Sequence, residues 1–460
     1  MNGIIGILVD IAKTPAFLVS LIALIGLLTQ KKSGADTVKG TIKTFVGFLV
    51  LSAGAGVVSG SLEPFGGMFE TAFRVKGVVP NNEAIVSMAL QQFGTTTALI
   101  MFFGMAANIA IARFSKMKHI FLTGHHTLYM ACMYAVIFSV AGFKGASLVA
   151  VGALALGSTM TLSPFILQPF MRKMTGGDSV GLGHFGGFGY WIAGSIGKLV
   201  RGNKEKVVTT EDVNFPKGLA FLRDSTVSIA LTMMVIYVIV AIAAGPEYVT
   251  KKYPGEGNYI IFAITRAGQF AAGVYVILQG VRLILNEIVP AFKGISEKLV
   301  PEAIPALDCP IVFTFAPNAV LIGFFSSFVG GIVSMIAMGL LGTVVILPGV
   351  VPHFFCGATA GVFGNAEGGL KGSVLGAFVQ GILISFLPIF LMPVLGSLGF
   401  ANSTFSDADF GVYGIFFGSL ASRGAQLAVI AGLAILYAII VIYSVAKSSK
   451  NVVGNSENVA

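Results

Sequence analysis

The sequence predicts an all-α polytopic membrane protein, on three observations. Hydrophobic residues make up 55% of the 460 and charged residues only 11%, where a soluble chain carries about 25% charged residues. Mean hydropathy is +0.88. After Asp308 no Asp, Glu, Lys or Arg occurs until Glu367. That stretch is long enough for two crossings, since one helix needs about 20 apolar residues. Yet it contains Thr314, Pro317, Asn318, His353, Thr359 and Asn365. Polar groups at bilayer depth are costly and mark a cavity, a partner helix or a solute path. A transporter for a polar solute fits this pattern better than a passive anchor.

Charge-poor runs place eleven spans near 14–30, 42–62, 92–113, 119–143, 145–171, 225–246, 259–285, 315–341, 343–363, 372–399 and 423–446. Residues 1–446 read as one membrane-embedded domain and 447–460 as a cytoplasmic tail. Loop charges orient the spans. Lys31, Lys32, Lys39 and Lys43 follow the first, Arg113, Lys116 and Lys118 the third, Arg172 and Lys173 the fifth, and Lys447 and Lys450 the last. All fall on the inner side if the N-terminus is outside and the C-terminus inside. Residues 400–412, with Asp407 and Asp409 and no Lys or Arg, read as an outer loop. The net charge of +9 is accounted for by these short loops, so nucleic acid is not an expected partner.

Two segments are not ordinary spans. Residues 179–197 are uncharged and hold seven glycines, which suits a re-entrant hairpin better than a helix. Residues 286–307, with three prolines and three glutamates, read as an interfacial helix leading to a break at Asp308. The halves show a faint symmetry. Lys39-Gly40 matches Lys293-Gly294, and Leu122-Thr123-Gly124-His125 matches Leu347-Pro348-Gly349 with His353. Inverted repeats of this kind place a site at their interface.

The candidate site residues are polar groups within these segments. His125 and His126 are adjacent, so on a helix they point about 100° apart and at most one is expected to face a given cavity. Imidazole donates and accepts hydrogen bonds, which suits a hydroxylated solute; a satisfied core histidine is the plain alternative. His184 sits in the glycine-rich segment. Asp308 at a helix break is suited to accept solute hydroxyls, to pair with Arg266 or Arg282, or to bind a proton. Pro317 in Thr314-Phe315-Ala316-Pro317-Asn318 marks a discontinuous helix, with Asn318 available to solute. The three cysteines are scattered in apolar segments and form no metal or disulfide pattern. No P-loop or dinucleotide fingerprint is present and no cofactor is expected. The first apolar run lacks a basic leader and reads as a retained helix.

In its order of motifs the chain resembles the ascorbate-specific permease subunit IIC of the bacterial phosphoenolpyruvate-dependent phosphotransferase system. The matching blocks are Lys39-Gly-Thr-Ile-Lys-Thr44, Leu51-Ser-Ala-Gly-Ala-Gly56, Leu122-Thr-Gly-His125, Gly183-His184, Gln279-Gly-Val-Arg282, Asp308-Cys309, Phe315-Ala-Pro-Asn-Ala319 and Gly361-Val-Phe-Gly-Asn365. The resemblance implies an eleven-helix homodimer with a core part that carries the solute and a scaffold part at the dimer contact. It implies a bacterial plasma membrane location and a phosphorylated IIB protein as partner, so the chain itself is not an enzyme. The solute-binding positions it implies are Asn82, Glu83, His125, His126, Thr127, Leu128, Tyr129, His184, Phe185 and Asp308. The family pattern has glutamines at Tyr129 and Phe185 and Thr-Tyr at Asn82-Glu83. L-ascorbate or a related polyhydroxy or acidic solute is the expected cargo. An ion-coupled secondary carrier, with Asp308 as the proton or sodium site, is the rival reading.

Overall fold

A computed structural model describes residues 15–74, 76–203, 206–213, 225–255, 257–396 and 403–457. Helices dominate, as the composition requires. In chain order they are α1 (Pro15–Thr29), α2 (Gly34–Phe73), α3 (Asn82–Phe114), α4 (Gly124–Val140), α5 (Gly145–Thr175), α6 (Gly187–Arg201), α7 (Ser225–Ala244), α8 (Pro246–Lys252), α9 (Tyr259–Leu299), α10 (Pro317–Leu341), α11 (Ala358–Leu391) and α12 (Ala408–Glu457). Each expected span contains helix, but the boundaries move. Among the described residues six helices are long and apolar enough to cross a membrane, or seven if the pair Met233–Ala244 and Pro246–Lys252, bent by 98°, is one span.

Among the described residues six short strands interrupt the helices: β1 (Gly77–Pro80), β2 (His119–Phe121), β3 (Gly181–Leu182), β4 (Ile304–Leu307), β5 (Val345–Ile346) and β6 (Ser403–Thr404). They form two parallel sheets, β5-β1-β6 and β2-β4-β3. In the first, Gly77 pairs with Val345 and Val79 with Ser403. In the second, Ile304 pairs with His119 and Leu307 with Leu182. Exchanging β1 for β4, β2 for β5 and β3 for β6 turns one sheet into the other. The chain is thus built of two equivalent halves, each lending its first strand to the centre of a sheet whose flanks come from the other half. The sequence signals fall on equivalent corners. Leu122-Thr123-Gly124 joins β2 to α4, and Leu347-Pro348-Gly349 follows β5; Lys39-Gly40 and Lys293-Gly294 lie in α2 and α9, the helices before β1 and β4.

Helix packing separates three groups. α1, α2, α7 and α9 pack on one another, while α3, α4 and α5 pack together and α6, α10 and α11 pack together. Close glycine contacts set the last of these groups. At Gly369 the backbone takes φ 64°, ψ −153°, a left-handed position suited to glycine. The chain folds back there, because Gly364 and Gly372 touch backbone to backbone; along a straight helix they would lie ~12 Å apart. The expected spans 343–363 and 372–399 are therefore the arms of one hairpin, as far as Val394, residues 397–399 lying outside the described residues. Between β5 and α11 come a helical turn at Val350–Pro352 and a wide helical turn at His353–Gly357.

Three sequence expectations are corrected. The glycine-rich segment 179–197 is a strand followed by helix α6, not a hairpin. Glycine's poor helix propensity is overridden by packing: a Cβ at Gly194 would strike the Phe170 ring at 2.5 Å, and one at Gly197 the Gly364 carbonyl at 2.7 Å. Residues 286–299 are no separate interfacial helix but the continuation of α9 through Pro290. Residues 403–412 are no outer loop, since β6 and the start of α12 are buried, with Asp407 and Asp409 inside; 400–402 lie outside the described residues. The last helix, α12, runs on to Glu457, beyond the expected span end at 446.

These contacts predict a contrast in stability. Gly197→Val forces a branched side chain against backbone that cannot yield, and overpacking of this kind costs about 1–3 kcal/mol. At Gly56 a Cβ meets nothing within 4 Å, so Gly56→Ala should be neutral or slightly stabilising. Thermal unfolding in detergent should show a lowered midpoint for Gly197→Val alone. Equal midpoints for the two variants would contradict the packing described.

Candidate functional site

Both sheets end at one cluster. The strands of β2-β4-β3 lead into Thr123 to His126, Asp308 and His184; those of β5-β1-β6 lead into Asn81 to Glu83, Gly349 and Asp407. A parallel strand end followed by a helix start leaves backbone amides and capping side chains facing the next layer. Asn81 illustrates this: its side chain caps α3 by accepting from the Ala84 amide at 2.8 Å. Here the next layer is the other sheet's end.

His125 and His126 open α4 and address different carboxylates, as their helical offset requires. His125 Nε2 lies 3.5 Å from Asp308 Oδ2, on the accessible side, with the two side chains 25% and 36% exposed. His126 Nδ1 lies 3.8 Å from Asp407 Oδ2, both side chains 4% exposed. The His126 and His184 rings are 3.8 Å apart between centroids. His184 Nδ1 meets the Tyr190 hydroxyl at 2.8 Å. The structure thus brings His125, His126, His184 and Asp308 into one group. Asp308 faces His125, while Arg266 contacts Gln269 and lies over Phe262.

The implied positions fall into three roles. Glu83 and Tyr129 are buried neighbours across the two sheets. Asn82 Oδ1 accepts from the Ser406 amide at 3.0 Å and ties α3 to the turn after β6. Thr127 turns its hydroxyl back to the Thr123 carbonyl at 3.1 Å, and Leu128 lies in the apolar core. The Phe185 ring is fully buried and stacks on Phe121 at 4.6 Å. Its backbone faces the site instead: the Phe185 amide approaches His126 Nδ1 at 3.4 Å, and its carbonyl accepts from the Asp409 amide at 2.9 Å.

Asp407 and Asp409 are the residues that sequence reasoning missed. Asp409 is fully buried, accepting from the Phe188 amide at 2.8 Å and the Ser163 hydroxyl at 2.6 Å. It fastens α6 and α5 to the start of α12. Their signal was an acidic pair in a segment otherwise free of charge, which also fits a loop. Two other expectations are redirected. The break at Pro317 is real, but Asn318 donates to the Thr210 and Val213 carbonyls at 3.1 and 3.0 Å and so anchors a loop. His353 meets Ser327 at 2.8 Å in the helix packing.

Chemically, the cluster offers imidazoles and carboxylates within reach of one another. Several buried polar atoms around it lack other partners within the protein: Asn81 Nδ2, Thr123 Oγ1 and Thr404 Oγ1 have none, and the Glu83 carboxylate and Tyr129 hydroxyl have only each other. Buried polar atoms are normally paired. Donors and acceptors drawn from both sheet ends suit a small solute with several hydroxyls.

The family model described as the PTS system sugar-specific permease component, EIIC-GAT, matches residues 10–409. A relative from Mycoplasma pneumoniae named as an ascorbate-specific PTS system EIIC component is 28% identical over 455 residues, covering 86% of this chain and 66% of its own. The chain thus spans a little under two thirds of that relative. With the family model matched across most of its length, and with the multi-pass helical architecture described above, the chain belongs to the EIIC-GAT family of sugar-specific permease components.

Proposed function

We propose that the chain is the membrane permease of a phosphoenolpyruvate-dependent phosphotransferase system in a bacterial plasma membrane, importing L-ascorbate or a related hydroxylated solute. A separate phosphorylated IIB protein phosphorylates the solute on the inner side and so makes import one-way. The observation that carries this reading is the cluster of His125, His126, His184 and Asp308 where two sheet ends meet, with buried polar atoms left unpartnered at Asn81, Thr123 and Thr404, on a chain of the sugar-permease family. The relative's name supports ascorbate. In this reading His125 and Asp308 meet the solute first, from the accessible side, and Glu83, Tyr129, His126 and His184 complete its bonds. The Phe185 ring packs on Phe121 and edge-on against His126, and so supports the site from behind; the Tyr129 hydroxyl stands where the family has an amide.

The wider assembly belongs to the same proposal. Exposed apolar residues run along α1 (Phe17, Leu21, Ile25, Leu28) and α2 (Val38, Ile42, Val46, Leu49). Such a surface suits lipid and a second copy of the chain, with α1, α2, α7 and α9 as the scaffold part and the helices around the site as the core part.

Two outcomes follow. Proteoliposomes holding the chain should accumulate phosphorylated ascorbate only when IIB and a phosphoenolpyruvate-driven phosphoryl supply are inside. Uptake of unmodified solute driven by a proton or sodium gradient would replace this reading with the secondary carrier. Asp308→Asn keeps shape but loses a charge-assisted acceptor, so solute affinity should fall at least about tenfold, ~1.4 kcal/mol, with unfolding unaffected. Asp409→Ala should do the reverse in kind. It strands two buried donors, each at about 1–3 kcal/mol, and lowers stability first. Calorimetric binding and thermal unfolding on both variants separate the roles; unchanged affinity in Asp308→Asn would remove Asp308 from the site.

A further inference from the structure

The strands of the β2-β4-β3 sheet have a second end, and a pocket lies there. Its volume is about 740 Å³, and His119 at the start of β2 and Ile304 at the start of β4 line it. Four basic residues from three separate segments converge on it: Lys116 and Lys118 after α3, Arg172 near the end of α5, and Lys447 in α12. Two acidic residues, Asp178 and Glu302, leave the lining with an excess of two positive charges. Arg172 is held by Asp178 at 2.6 Å, and Lys118 donates to the Ala112 carbonyl at 2.9 Å. Lys116 and Lys447 are exposed.

Two further features point to a ligand. His119 is buried, gives Nε2 to the Gln168 carbonyl oxygen at 3.1 Å, and has no protein partner for Nδ1. Trp191, 46% exposed, lines the same pocket. An exposed tryptophan beside basic side chains is the composition of a protein-contact hot spot rather than of a free-anion site. The loop charges that converge here are those that the positive-inside rule assigns to the cytoplasm. From the pocket the strands run about three residues, ~10 Å at ~3.3 Å per residue, to the solute cluster.

We propose that this pocket is the docking site of the phosphorylated IIB protein, with Lys116 and Lys447 attracting its phosphoryl group and Trp191 contacting its surface. The inference rests on the phosphotransfer reading above and adds the place where the donor binds. A dianionic phosphoryl group beside two lysines is attracted at long range and in a salt-dependent way.

The test uses the full chain in lipid nanodiscs and its cognate IIB protein, phosphorylated and unphosphorylated, measured by surface plasmon resonance over a range of KCl concentrations. Lys116→Glu with Lys447→Glu should weaken phosphorylated IIB at least tenfold and flatten the salt dependence. The Lys→Gln pair should fall between. Ascorbate binding by both variants should stay at the wild-type value, which shows that they are folded. Unchanged affinity and salt dependence in the charge-reversed variant would overturn the proposal, as would equal binding of the two IIB forms. If wild-type chain transports without any IIB protein, the phosphotransfer reading fails instead.

Discussion

The structure depends on one constraint: six strand ends must meet in the middle of an apolar protein without leaving their polar groups stranded. A strand that stops and becomes a helix presents amides and capping side chains at its end, and the low-polarity surroundings offer no bulk water to satisfy them. The solution is to aim two sheets at each other. His126 of one sheet end faces Asp407 of the other at 3.8 Å, and Asp409 gathers the Phe188 amide that follows β3 together with the Ser163 hydroxyl, while within its own end Ser406 donates its amide to Asn82. In the proposed function, what the two ends do not satisfy in one another they offer to a solute, so that binding site and structural solution are one arrangement.

The glycines make this arrangement reachable. The strands and half-helices can approach only if the helices around them pack with almost no side chain between. α6 lies against the α11 hairpin through Gly197, Gly364 and Gly368, and α10 lies against it through Gly323, Gly357 and Gly361. The high glycine content, 59 of 460 residues, is thus used for close approach more than for turns. Close approach also fixes the halves' pairing, since each half's first strand is held between strands of the other.

Much of this was legible in the sequence. Charge-free runs marked helices because a helix in lipid tolerates few charges. The repeated Lys-Gly and Leu-x-Gly signals marked equivalent helices and corners. His125, His184 and Asp308 stood out as polar groups in apolar surroundings, and the structure brings them together. What was hidden depends on tertiary contact. Strands of two to four residues give no periodicity to read. Helix α6 contradicts the propensity of its own sequence. Asp407 and Asp409 lie in a segment whose composition matches an exposed loop, and only their burial against His126, Phe188 and Ser163 reveals their place. The buried Phe185 ring stacks on Phe121 and meets His126 edge-on, while its backbone amide faces His126 Nδ1; no sequence rule foretells that division.

The central claim is that the solute is held between the two sheet ends, bonded by residues of both. A cryo-EM structure of the permease with saturating ascorbate tests it most directly. The account predicts solute density contacting His125 and Asp308 from one sheet end and Glu83 or Asn81 from the other. Density bonded by one sheet end alone, or lying outside this cluster, would contradict it.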